Sequence, residues 1–195
     1  MCILWLSRQT IIWKRLLLQF YRLPMITVAL LRGKAVGGGA ELSTACDFRL
    51  MDADARIGFV QSTMGVATGW GGGARLVQLL GRNKALKLLA SGRVLRAGEA
   101  KEIGLVDGIV EDAAEGDDGV ATSSDTSSTD AAVEFILKMV GNKDTNVLRT
   151  AKMISTVAEE ESLEQALEVE RALFSAVWGG DAHRKAMEGN IKHKD

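Results

Sequence analysis

The stretch G-K-A-V-G-G-G-A-E-L, Gly33 to Leu42, carries three consecutive glycines between an apolar run and a short apolar segment with one carboxylate, Glu41. Glycine loses more chain entropy on ordering than any other residue, so a run of three needs a reason. A phosphate-cradling loop would end in Gly-Lys-Ser/Thr. Here Ala-Glu-Leu follows, which excludes it. A strand that ends in glycines and runs into a helix presents bare backbone N–H groups at the helix N-terminus. With no Cβ in the way, a carbonyl oxygen can come close, and negative charge developing on it meets fixed donors. Glu41, three residues on from Gly38, would stand near the same oxygen. A tight turn that only packs, with Glu41 as a favourable first-turn acid, fits the spacing equally well.

Outward from the glycines, Met25–Leu31 is apolar, β-prone and bounded by Pro24 and Gly33, so a buried strand is expected there. Lys34–Val36 could continue it after a bend. Ala40–Cys46 reads as a short helix, Asp47–Met51 and Arg56–Phe59 as short strands. A second glycine run, Gly69–Gly73, precedes a helix over Ala74–Leu80. Gly69 to Ala74 match the letters of a dinucleotide fingerprint, but the preceding V-A-T makes a poor strand and the match is weak. Helices over Asn83–Ala90 and Gly98–Ile103 and a closing strand over Leu105–Val110 follow.

Gly116–Asp130 is polar, small and acidic, a composition that reads as a flexible loop. Beyond it the period becomes helical. Val133, Ile136, Leu137 and Val140 make one stripe; Val147, Ala151, Ile154 and Ala158 make a second. Ser162 and Gln165 have the form of a capping box. Leu163, Ala166, Leu167, Phe174 and Val177 follow as the third stripe.

Composition narrows the chemistry. The 195 residues suffice for one domain with a real core. Lys plus Arg is 24 and Asp plus Glu 25, so nothing favours bulk nucleic-acid binding. Two cysteines, Cys2 and Cys46, make neither a disulfide framework nor a zinc cluster and suit a reducing compartment. Two histidines, His183 and His193, leave little for a His-based triad or metal site, and neither a cofactor nor a metal is expected. Residues 1–40 hold six basic side chains and no acid, the profile of a mitochondrial transit peptide or of an unusual start. Their apolar runs are too short to span a bilayer.

From Arg22 to Glu111 the sequence resembles the crotonase (enoyl-CoA hydratase/isomerase) superfamily. The resemblance rests on G-K-A-V-G-G-G-A-E-L-S-T-A-C-D-F-R-L and A-R-I-G-F-V-Q-S-T-M-G-V-A-T-G-W-G-G-G-A-R-L-V-Q-L-L-G, and continues into A-L-K-L-L-A-S-G-R-V-L-R-A-G-E-A-K-E-I-G-L-V-D-G-I-V. Several separated blocks, A-C-D-F-R-L-M, the W-G-G after Met64 and A-V-W-G-G at Ala176–Gly180, are most similar to the members that decarboxylate ethylmalonyl- and methylmalonyl-CoA. The resemblance implies an α/β fold, a crotonase-like ββα spiral without its N-terminal lobe, followed by a C-terminal helical region. It divides the chain into an atypical segment (1–21), a crotonase-like core (22–111), a loop (112–130), a helical trimerisation region (131–180) and a tail (181–195).

For the site, the resemblance implies an acyl-CoA whose thioester oxygen accepts the Gly38 N–H, with Gly37 beside it and Glu41 orienting or protonating the enolate. Gln61 matches the second glutamate of a hydratase, and glutamine cannot act as a general base. That argues against hydration and for an acyl-CoA decarboxylase. Met64 and Trp70 are expected to wall the acyl pocket. Thr68 replaces a common family proline, Arg75 is expected to be structural, and Lys185, Lys192 and Lys194 could meet CoA phosphates. A homo-oligomer, trimer or hexamer, in the cytosol is implied. The absent lobe supplies the second oxyanion donor in the family, so little activity is expected of this chain alone; a non-catalytic variant that joins full-length subunits is the competing expectation.

Overall fold

The structure is a computed structural model that describes residues 2–110 and 124–189. The chain forms two compact units, Met1–Tyr21 with Thr27–Met139, and Arg22–Ile26 with Val140–Asp195.

The first unit opens with α1 (Cys2–Tyr21), so the segment read by composition as an atypical leader is a helix. Two small sheets follow. In the first, β1 (Val28–Leu31), β3 (Phe48–Asp52) and β6 (Gly108–Val110) are parallel in the order β1-β3-β6, with Val28 opposite Phe48 and Leu50 opposite Gly108. In the second, β2 (Lys34–Val36) lies parallel to β4 (Arg56–Gly58), which pairs antiparallel with β5 (Val94–Arg96). Lys34–Val36 therefore does not prolong β1. Gly33 takes a left-handed φ of 55°, and its carbonyl accepts the Arg56 N–H, which turns the chain into the second sheet.

Four helices pack around the sheets: α2 (Gly38–Ser43), α3 (Gly72–Leu80), α4 (Arg82–Ser91) and α5 (Ala97–Glu102). Each lies within a residue or two of its expected span except α2, which starts inside the glycine run. The core they enclose is apolar and continuous, with Leu31, Met51, Ile57, Phe59, Leu76, Leu88, Leu95 and Leu105 all buried. Such burial is the main favourable term in folding. The last helix of this unit, α6 (Ser124–Val140), begins inside the stretch expected as a loop; Ser128 is buried, while 112–123 lie outside the described residues. Its apolar stripe, with Val28 and Leu30 of β1, lines a cavity of about 430 Å³.

Polar hooks set the register of the first sheet. Asp47 Oδ2 accepts from the Thr27 N–H at 2.8 Å and from its hydroxyl at 3.0 Å, and Thr27 Oγ1 accepts the Asp47 N–H. Arg49 is buried and donates to the carbonyls of Leu105, Cys46 and Asp47 and to Asp107 Oδ2, which also accepts the Arg49 N–H at 2.7 Å. Burial pulls the guanidinium below the ordinary arginine range, and Asp107 pulls it back. Replacing Arg49 with leucine strands those carbonyls and the carboxylate. The expected loss is about 3 kcal/mol, read as a lower urea midpoint with unchanged slope.

The second unit holds α7 (Thr145–Glu160), α8 (Leu163–Val177) and α9 (Asp181–Glu188), the last inside the stretch expected as a tail. Asp144 caps α7 through the Asn146 N–H, and the expected capping box of Ser162 and Gln165 opens α8. After α8 the W-G-G motif makes a small aromatic stack. Trp178 lies 4.9 Å from the Phe174 ring and 4.4 Å from that of His183, whose Nδ1 accepts the Gly179 N–H.

Candidate active site

Gly37 to Gly39 close β2 and open α2, and two of the three have a clear structural reason. Gly37 has a φ of 58°, which L side chains rarely adopt; its N–H donates to the Gly58 carbonyl at 2.9 Å and its carbonyl accepts the Glu41 N–H at 3.0 Å. Gly38 is pressed by an indole. A Cβ there would lie 2.5 Å from Trp70 Cζ3 and 2.7 Å from Cη2. Gly39 has open space around its Cβ position. The N–H groups of Gly38 and Gly39 belong to the first turn of α2 and have no intrahelical acceptor.

Glu41 sits in that same turn and is only 3% exposed. Its carboxylate faces away from open solvent into the second glycine run. Oε1 accepts from Gln61 Nε2 at 2.8 Å and the Gly69 N–H at 3.3 Å; Oε2 accepts from the N–H groups of Trp70 at 2.8 Å and Gly72 at 3.0 Å. Gly71 has a φ of 86° and caps α3, so Gly69, Trp70 and Gly72 turn their N–H groups to one point at that helix's N-terminus. The run that matched a dinucleotide fingerprint is thus an anion nest, and it holds the chain's own carboxylate. The approach is close: a Cβ on Gly72 would lie 2.7 Å from Glu41 Cβ and 2.9 Å from its Cα. Arg75 of α3 completes the junction by donating to Thr44 Oγ1, the Glu41 carbonyl and the Trp70 carbonyl. Burial lowers the Arg75 pKa and Glu41 raises it.

Gln61 lies in a 3₁₀ turn, Val60–Met64, that sequence reading had missed because it is too short to show a period. Donation to Glu41 fixes its amide. Its Oε1 is buried with no partner among the described residues. Gln61, Phe59, Val66, Thr68, Leu86 and Leu89 help line a cavity of about 260 Å³. The structure therefore joins Gly37, Gly38, Glu41, Gln61 and Trp70. Met64 is not among the residues lining that cavity and is 64% exposed. Trp13 of α1, which no motif singles out, stacks on Trp70 at 4.7 Å and 20°. Lys185 lies on α9; Lys192 and Lys194 lie outside the described residues. Among the described residues no group of three His, Cys, Asp or Glu could hold a metal ion, and no helix is long and apolar enough to cross a membrane.

Residues 7–194 match the family model described as enoyl-CoA hydratase/isomerase. The chain is 41% identical over 178 residues to the ethylmalonyl-CoA decarboxylase of Danio rerio, covering 91% of this chain and 56% of that protein. It is 40% identical over 177 residues to the Mus musculus ethylmalonyl-CoA decarboxylase, with 91% and 52% covered. It thus spans little more than half the length of these relatives. Among solved structures it resembles the enoyl-CoA hydratase of Bacillus anthracis, with TM-score 0.80, 27% identity and 94% and 66% of the two chains covered. It also resembles that of Thermoplasma volcanium GSS1, with TM-score 0.74, 28% identity and 94% and 67% covered.

Proposed function

The chain belongs to the enoyl-CoA hydratase/isomerase family, and from that premise we propose that it is a carboxy-lyase acting on ethylmalonyl-CoA and, less well, on methylmalonyl-CoA. The observation that carries this reading is the fixed amide of Gln61. Hydration needs a base that takes a proton from water. At the position of the second hydratase glutamate this chain has an amide, bonded through Nε2 to Glu41, and an amide takes no proton at working pH. Decarboxylation needs no such base. The thioester oxygen accepts the Gly38 N–H; the bond between Cα and the carboxylate breaks and CO₂ leaves. The electron pair moves into an enolate whose charge rests on the thioester oxygen, and one proton added at Cα gives butyryl-CoA. The same reading makes the working form a homo-oligomer, a trimer or hexamer.

The test is to incubate the chain, joined to the N-terminal lobe of a full-length relative, with ethylmalonyl-CoA and follow CO₂ and butyryl-CoA by mass spectrometry. Both should appear in equal amounts. Hydration of crotonyl-CoA with no CO₂ from ethylmalonyl-CoA would overturn the reading. The ethyl and methyl substrates differ by one methylene, which a pocket discriminates by about 10–200-fold. Both should turn over, with kcat/KM higher for the ethyl compound. A preference of several thousandfold for the methyl compound would exceed what a methylene provides and contradict the assignment.

A further inference from the structure

We propose that Glu41 is a positioning residue and not a proton carrier: its carboxylate is the resident anion of the nest formed by Gly69, Trp70 and Gly72, and it holds the Trp70 indole over Gly38. The inference rests on the reading of Gly38 as the thioester's donor and changes the role that resemblance assigns to Glu41. An ionised carboxylate has about four lone-pair sites. All of Glu41's are met, three by backbone N–H groups and one by the Gln61 amide. No site remains for a proton travelling to or from a substrate. The donors sit at the N-terminus of α3, where the helix dipole favours a negative charge.

What the carboxylate does is mechanical. Gly69 to Gly72 would otherwise carry three inward N–H groups with nothing to accept them. Glu41 satisfies them and so bolts the backbone of Trp70 to α2. Arg75 ties the same two segments a second time, through the carbonyls of Glu41 and Trp70. With its backbone held, the Trp70 ring lies against Gly38 and stacks on the Trp13 indole. The shape of the space beside the Gly38 N–H is therefore set by Glu41 through Trp70. Charge is what the nest needs: in Glu41→Gln the new NH₂ group faces backbone N–H groups, while in Glu41→Asp the charge survives.

The test uses the full chain with Glu41→Gln, Glu41→Asp, Trp70→Ala and the double variant Glu41→Gln/Trp70→Ala. Amide hydrogen exchange over 69–72 and the tryptophan emission assigned to Trp70 by difference from Trp70→Phe need no turnover. Glu41→Gln should speed exchange of the Gly69, Trp70 and Gly72 amides about tenfold or more, the weight of one hydrogen bond to a charged group. It should also shift the Trp70 emission to the red, with Glu41→Asp restoring part of both. On ethylmalonyl-CoA it should raise KM and lower kcat together, leave the shape of the pH profile unchanged, and add nothing to the loss already seen in Trp70→Ala. Unchanged exchange and emission overturn the proposal. So does a Glu41→Gln enzyme with intact KM, vanishing kcat and a lost limb of the pH profile. If no CO₂ is released by any form, the chain joined to a relative's N-terminal lobe included, while exchange and emission behave as expected, the proposed function fails and the nest assignment stands.

Discussion

Gly38→Pro is expected to lower the rate of CO₂ release from ethylmalonyl-CoA by about 10²–10³, the loss that follows removal of one oxyanion donor. Proline is well suited to the first position of a helix, where the N–H it lacks has no helical partner, so α2 should form. Its ring carbons do crowd Trp70, and Gly38→Ala isolates that effect, because alanine keeps the N–H and meets the same indole. The ratio between the two variants measures the donor alone. Gly39→Ala, whose Cβ meets open space, should be near neutral and serves as the control. If folded Gly38→Pro keeps the turnover of Gly38→Ala, the thioester oxygen is not held by this group and the site must be sought elsewhere on the chain.

How far this site was legible in the sequence depends on the distance between its parts. The capping box of Ser162 and Gln165 could be read because both partners lie within one turn, and the structure has it. The stripes of α6, α7 and α8 were legible for the same reason, since a 3.6-residue period is a local property. The glycine run also announced a strand-to-helix turn, and Gly37 and Gly38 meet that need. The sequence could not show that Glu41 meets Gly69, Trp70 and Gly72. Those donors are 28 to 31 residues away and come together only when α2 and α3 pack. Letters alone gave Gly69–Ala74 only a weak match to a nucleotide loop, and the family resemblance gave Glu41 the task of orienting or protonating an enolate. The two features are a single structure, an acid and its nest. Among the elements missed, β5 and the 3₁₀ turn are of three and five residues and carry no readable period. For α1, the charge bias drew attention from a helix that runs to Tyr21, buries Leu17 and carries Trp13 to the site. Lys34–Val36 left the first sheet because Gly33 can bend the chain, and a bend is a freedom that composition does not reveal.

Phe59→Ala is expected to cost about 3–5 kcal/mol of stability. Phe59 is 1% exposed and belongs to the continuous core with Ile57, Leu76 and Leu95. It also borders the 260 Å³ cavity, so its removal enlarges an existing void instead of opening one that neighbours could close. The penalty should therefore lie toward the upper end of the range, because the cost of truncation grows with the volume left empty. For a chain of this size each kcal/mol lowers Tm by about 2–4 °C, which predicts a fall of roughly 10 °C or more. Leu163→Ala, at a side chain 76% exposed, should move stability by no more than about 0.5 kcal/mol. The effect should also travel into the site. Phe59 immediately precedes Val60, whose Cγ2 is 3.9 Å from the Cβ position of Gly37, and Gln61, whose amide holds Glu41. Loss of the ring should therefore raise KM even at temperatures where the variant remains folded. Urea titration, thermal melts and steady-state kinetics on Phe59→Ala and Leu163→Ala check these expectations together. A Phe59→Ala protein as stable as Leu163→Ala would mean that the ring does not pack the core as described.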